Sequence, residues 1–170
     1  MSWQQAIEFC QWLTTKTGLE FSLPTEAQWE YACRGGGAEA PHTGETEAGL
    51  SIDEAIPYPE VNQGSANAVG IYGMNSGLWE WVADVYEDNL NISVYSELLH
   101  DNPLHTGSND YRFSTADYPR INRGGTWTIG SNPTRCSLRH FDEAGMKNFF
   151  TGFRVSLPDH RNPVSAPGYD

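Results

Sequence analysis

Cations are scarce in this chain. Ten Lys and Arg stand against 22 Asp and Glu, for a net charge of −12. Such a surface repels a phosphate backbone, whose binding rests on cation contacts, so nucleic acid is excluded as a partner. A cationic partner, a metal ion or plain solubility fits the balance. Long apolar runs are also lacking. None approaches the roughly 20 residues that cross a bilayer, so no membrane insertion by this chain is expected. No signal peptide opens it, because an amphipathic pattern follows Met1 at once. The compartment stays open, and a periplasmic or secreted home is compatible with a truncated N-terminus. Three cysteines give no dense disulfide framework, and 170 residues can bury a core without one. His42, His100, His105, His140 and His160 form no HxH, HExxH or HxxxH spacing. His100, Asp101 and His105 make the one local His/Asp cluster, readable either as loop surface or as a metal or acid–base group. Heptads, internal repeats and low-complexity tracts are absent.

What is present is aromatic and turn-rich: six Trp, eight Tyr and seven Phe beside 17 Gly and ten Pro. Trp3, Ala6, Ile7, Cys10 and Leu13 recur at helical spacing, which predicts an amphipathic helix from Ser2 to about Thr17. Ser2 caps it and Gly18 suits its left-handed end. A second helix begins at the Thr25-x-x-Gln28 capping box and runs to about Cys33, before Gly35, Gly36 and Gly37. Residues 38–66 and 87–119 read as long polar excursions, the second with a short helical piece at Val94–Leu99. Residues 70–86 are compact, with Trp79, Trp81 and Val82 in the core. Arg120–Thr128 and Thr151–Leu157 read as strands, with Gly124 and Gly125 allowing close backbone approach between them. Early helices followed by short strands give an α+β class.

Five segments carry a family resemblance: SLPTEAQWEYACRGG (Ser22–Gly36), GIYGMNSGLWEWVAD (Gly70–Asp84), NRGGTWTIG (Asn122–Gly130), RCSLR (Arg135–Arg139) and TGFRVSLP (Thr151–Pro158). Together they resemble the formylglycine-generating-enzyme, or sulfatase-modifying-factor, family. The resemblance implies a C-type-lectin-like fold with two N-terminal helices, short antiparallel strands and little other regular structure. It covers 1–158 as one domain and leaves 159–170 as an extended tail. Family members carry further chain upstream, so this is expected to be an N-terminally short member. The helix face of Trp3, Ile7 and Cys10 is then expected to need a protein partner, either a second copy or another subunit. The acidic charge tilts that expectation toward another subunit.

The resemblance also assigns sites. Aerobic members bind copper through a cysteine pair just after the GGSW-like turn. Here that turn is Gly124–Trp127, Ile129 fills the first cysteine position, and Gly130–Arg135 holds no cysteine. Soft thiolates suit Cu(I), so no copper is expected. Cys33 and Cys136 fall where some relatives carry a disulfide and are expected as neighbours, oxidised or not according to compartment. Cys10 matches half of a second family disulfide whose partner position is Val155, which makes it a buried free thiol.

The family's calcium block keeps Glu80 as a ligand, with carbonyls from Ser76 and Leu78, while Gly73 replaces a side-chain ligand. The alternative is that Glu80 hydrogen-bonds turn amides. Asn67 either adds a ligand or caps the turn. Thr126, Trp127, Ile129, Arg139 and His140 line the implied substrate groove. Arg139, His140, Asp142, Glu143 and Lys147 read as a charged loop, either solvated or recognising a polar ligand. Arg123 and Arg154 read as structural arginines paired with carboxylates such as Glu30 or Glu80. No catalytic residue is identified. The expected function is that of a non-oxidase binding or structural module, a pseudoenzyme within a larger assembly. The alternative is an oxidoreductase with altered metal-dependent chemistry in the same groove.

Overall fold

A computed structural model of the chain describes residues 1–36, 66–74, 78–86, 119–125 and 136–157. Helix α1 spans Trp3–Thr17 and α2 spans Glu26–Cys33. Both open on reciprocal capping boxes. Ser2 Oγ accepts the Gln5 amide at 3.3 Å while Gln5 Oε1 accepts the Ser2 amide at 3.2 Å. Thr25 and Gln28 repeat the exchange at 3.1 and 2.9 Å. Each box satisfies two amides that the first helical turn leaves without a partner. Gly18, at φ 74°, ends α1 by donating to the Thr14 carbonyl at 2.8 Å.

Four strands form one sheet: β1 (Trp79–Val85), β2 (Pro119–Arg123), β3 (Arg139–Glu143) and β4 (Thr151–Phe153), in the order β3-β2-β1-β4. β2 runs antiparallel to both β1 and β3, whereas β4 is parallel to β1. Trp81 packs with Trp3, Ala6, Cys10, Leu23 and Ala144; its neighbour Val82 packs with Trp29, Cys33, Met74, Ile121 and Cys136. Successive strand residues point to opposite faces, so α1 covers one face of the sheet and α2 the other.

Several expectations change. Residues 79–85 are a strand, which their sequence hides because Trp79, Glu80, Trp81 and Val82 are all buried and no alternation survives. Of the strand expected at 120–128, the described part pairs only to Arg123, since Gly124 and Gly125 take φ 101° and 85°, and residues 126–128 lie outside the described residues. The strand expected at 151–157 stops at Phe153, and Ser156 makes only an isolated bridge to Ser22. β1 lies between those two strands, so the close approach at Gly124 is to other groups. A Cβ there would stand 3.1 Å from the Leu78 carbonyl and 3.2 Å from the Trp29 ring. The charged loop begins as edge strand β3, where charged side chains suit an edge. The tail at 159–170, the piece at Val94–Leu99 and the cluster of His100, Asp101 and His105 lie outside the described residues.

Of the α1 face expected to lie open, Trp3 and Cys10 are buried within the chain and Ile7 is partly buried. Ala6 is buried as well, and the Trp3 indole donates to the Val82 carbonyl at 2.8 Å. The Trp3 amide reaches the Ala144 carbonyl at 3.0 Å. Phe9 and Trp12 of the same helix are exposed. Among the described residues, no helix is long and apolar enough to cross a membrane.

Candidate functional site

The α2 side of the sheet carries an ordered charge array. Glu80, Arg123 and Arg139 are Cα partners across β1, β2 and β3 and therefore share one face. Two carboxylates of α2 meet the arginines. Arg139 Nε donates to Glu26 Oε1 at 2.8 Å, and Arg123 Nη1 lies 3.2 Å from the same oxygen. Arg123 also pairs with Glu30, which accepts from Arg34 Nη2 at 2.6 Å. The carbonyl of Cys136 takes a further Arg123 proton at 2.7 Å. A buried guanidinium needs this many acceptors, because each unpaired proton carries a desolvation cost. The expected pairing of these arginines with carboxylates such as Glu30 or Glu80 forms, Arg123 meeting Glu30 and Arg154 meeting Glu80, although Arg154 is only half-buried.

Glu80 is held by three donors: Trp29 Nε1 at 2.6 Å, Arg154 Nε at 2.6 Å and Arg154 Nη2 at 2.7 Å. Its hydrogen-bond partners are thus an indole and a guanidinium rather than turn amides. Asn67 is occupied too. Its Oδ1 accepts the Val69 and Ile71 amides at 3.1 and 3.0 Å, and its Nδ2 donates to the Ala32 carbonyl at 2.6 Å. Of its two expected roles, it fills that of holding the turn. Leu78 directs its carbonyl toward Gly124. Ser76, Thr126, Trp127 and Ile129 lie outside the described residues. No three His, Cys, Asp or Glu side chains gather as a metal-holding group among the described residues.

Arg139 and His140 do not act on one face. Arg139 turns to α2, whereas His140 turns to the α1 side and packs on Trp79 with ring centroids 5.1 Å apart. Asp142 shares that side, and its Oδ2 accepts from Asn122 Nδ2 at 2.9 Å. The exposed part of β3 is mixed: His140, Phe141 and Glu143 are exposed, and Phe141 stacks on Tyr86 at 3.7 Å.

Cys33 and Cys136 are joined by a disulfide with Cα atoms 5.6 Å apart. Cys10 is free and buried, and burial pushes its thiol pKa up. Asp84 escaped the sequence reading. It accepts the Glu26 amide at 2.6 Å and lies near Arg139 and Arg120. No sequence pattern marks it: only once 79–85 is seen as a strand do Glu80, Val82 and Asp84 fall together on the α2 face.

A sulfatase-modifying factor enzyme 1-like domain model matches residues 1–157. The chain belongs to this family. Its α+β architecture, with two helices on a four-stranded sheet, is of the formylglycine-generating-enzyme type. The serine/threonine-protein kinase Pkn1 of Chlamydia trachomatis is 30% identical over 165 residues, covering 92% of this chain and 23% of the kinase. The formylglycine-generating enzyme of Mus musculus is 30% identical over 184 residues, covering 94% of this chain and 43% of the enzyme. The hercynine oxygenase of Mycolicibacterium thermoresistibile is 27% identical over 86% of this chain and 33% of its own length. The chain thus spans less than half the length of each of these family relatives. Among solved structures, PvdO from Pseudomonas aeruginosa superposes with a TM-score of 0.62 at 22% identity, over 92% of this chain and 60% of that one. Treponema denticola variable protein 1 gives 0.61 at 25% identity, over 91% and 68%.

Proposed function

We propose that this chain is a non-oxidase member of its family and serves as a binding module, a subunit within a larger assembly. What carries this reading is the fate of its three cysteine sulfurs. Cys33 and Cys136 are spent in a disulfide beneath α2, and Cys10 is buried on the opposite face of the sheet. Copper-dependent cysteine oxidation needs two thiolates side by side, and this set offers none. The mixed aromatic and charged surface of β3 has the composition of a recognition surface.

The test is incubation of the chain with copper and a sulfatase-type Cys-x-Pro-x-Arg peptide. Mass spectrometry is expected to return the peptide unchanged. Conversion of its cysteine to an aldehyde overturns the reading.

An oxidoreductase with altered metal chemistry is the second reading, favoured by the relatives named hercynine oxygenase. Metal analysis of the purified chain separates the two: stoichiometric copper or iron supports the oxidoreductase, and neither metal supports the module.

A further inference from the structure

His140 and Asp142 stand two residues apart on β3, so their side chains share one face. His140 Nε2 lies 3.7 Å from Asp142 Oδ1, too far for a hydrogen bond. Two neighbouring ligands held about 2.1 Å from one ion in near-tetrahedral geometry are roughly 3.5 Å apart, close to the observed gap.

Both groups are positioned from behind. Asn122, the Cα partner of His140 on β2, donates Nδ2 to Asp142 Oδ2 at 2.9 Å, which leaves Oδ1 on the imidazole side. Trp79 backs the imidazole with ring planes 31° apart. Asn122 is 0% exposed, yet its Oδ1 has no hydrogen-bond partner among the described residues. A buried acceptor left unused is costly, and it invites a cation or an ion-bound water. The His140 side chain is 48% exposed and that of Asp142 14%, so an ion can enter from solvent and keep open positions.

We propose that His140, Asp142 and Asn122 form a binding site for a divalent transition-metal ion of the zinc type. An imidazole nitrogen with carboxylate and carboxamide oxygens suits such an ion. The Asn122 hydrogen bond orients the carboxylate as an outer-shell partner does. The net charge of −12 draws cations to the surface. The site stands independently of the non-oxidase reading, which concerns thiols.

The experiment uses the full chain stripped with EDTA, then titrated with zinc by calorimetry and with cobalt by visible absorption. One ion per chain is expected, with cobalt bands that zinc displaces. His140→Phe keeps a ring against Trp79 but removes the nitrogen. Asp142→Asn keeps the bond from Asn122 but removes the charge. Each is expected to weaken zinc binding roughly tenfold or more. Melting in EDTA should stay within about 2 °C of the parent. Absence of saturable one-to-one binding overturns the proposal, as does binding that both variants retain. Diethyl pyrocarbonate modification of the unmutated chain, mapped by mass spectrometry, answers without any variant. Protection of His140 by zinc supports the site, and unchanged reactivity overturns it.

Discussion

The Asp84 carboxylate accepts the backbone proton of Glu26 at 2.6 Å, so a β1 side chain helps to cap α2 from across the core. Burial is the main cause that raises its pKa to about 6, with the neighbouring Glu26 charge adding to it. The Glu26 amide and the attraction of Arg139 pull the other way without cancelling it. Arg120, itself desolvated, has its pKa lowered to about 10 despite the nearby Asp84 charge.

The sign of the resulting pH effect follows from proton counting. The folded chain holds a proton on Asp84 that the unfolded chain, at an ordinary value of 3.8, has released. The stability this group contributes is complete below that value and is lost as the pH rises through about 6. The span is on the order of 3 kcal/mol. Asp84→Asn keeps an acceptor for the Glu26 amide and removes the titration. Melting temperatures measured from acid to neutral pH should show the difference between parent and variant shifting across that window in the variant's favour. A difference that stays flat with pH counts against the assignment.

Glu80 supplies the second prediction. Glu80→Gln leaves the Arg154 guanidinium without its bidentate partner and weakens the bond from Trp29. Breaking such a pair from one side costs about 3 kcal/mol. Arg154→Met costs part of the same energy, so the double variant should lose less than the sum of the singles. Urea unfolding measures all three, and strict additivity contradicts the coupling. With both Glu80 oxygens already engaged, added calcium should move the melting temperature by less than about 1 °C. A clear calcium-dependent rise supports the calcium expectation at this block.

The two helices were legible because their signals are local. Ser2 and the Thr25–Gln28 box mark the two starts, and Gly18 marks an end. That Arg123 and Arg154 pair with carboxylates was legible for a different reason, since a shielded arginine needs one, while which carboxylate each takes was not. β1 was hidden because Trp79–Val82 is buried on both faces, which erases the period-two pattern. β3 was hidden because the charges of an edge strand look like those of a solvated loop. Asp84 and Asn122 take their roles from register, Asp84 opposite the start of α2 and Asn122 opposite His140. A single sequence does not display register.

The disulfide gives the third prediction. It ties the end of α2 to the segment before β3 across a sequence separation of 103. Closing a loop of that length restricts the unfolded chain by roughly 5 kcal/mol. Reduction, or Cys33→Ser with Cys136→Ser, should lower the melting temperature by many degrees. Iodoacetamide should label no cysteine in the native oxidised chain and Cys10 alone after unfolding without reductant. Labelling of Cys33 or Cys136 in the native chain argues that the bridge is open.

The last prediction concerns the surface that remains once Trp3, Ala6 and Cys10 are buried. Phe9 sits 5.5 Å from both Trp12 and Phe153, so α1 and edge strand β4 share an aromatic flank. Phe9 is 41% exposed and Trp12 55%, more than a chain gains by presenting to water two large rings that pack on each other. In the binding-module reading this flank meets the partner, in place of the face first expected. Neither ring is in the buried cores, so Phe9→Ser with Trp12→Ser should leave the cooperative melt nearly intact. Light scattering behind size exclusion should show the parent associating as concentration rises, or binding its partner subunit, and the variant doing neither. The charge of −12 resists self-packing, so a stronger effect is expected on a heteromeric contact than on a homomeric one. A parent that stays monomeric, and a variant that binds the assembly as well as the parent, would place the partner surface elsewhere, with exposed β3 the next to mutate.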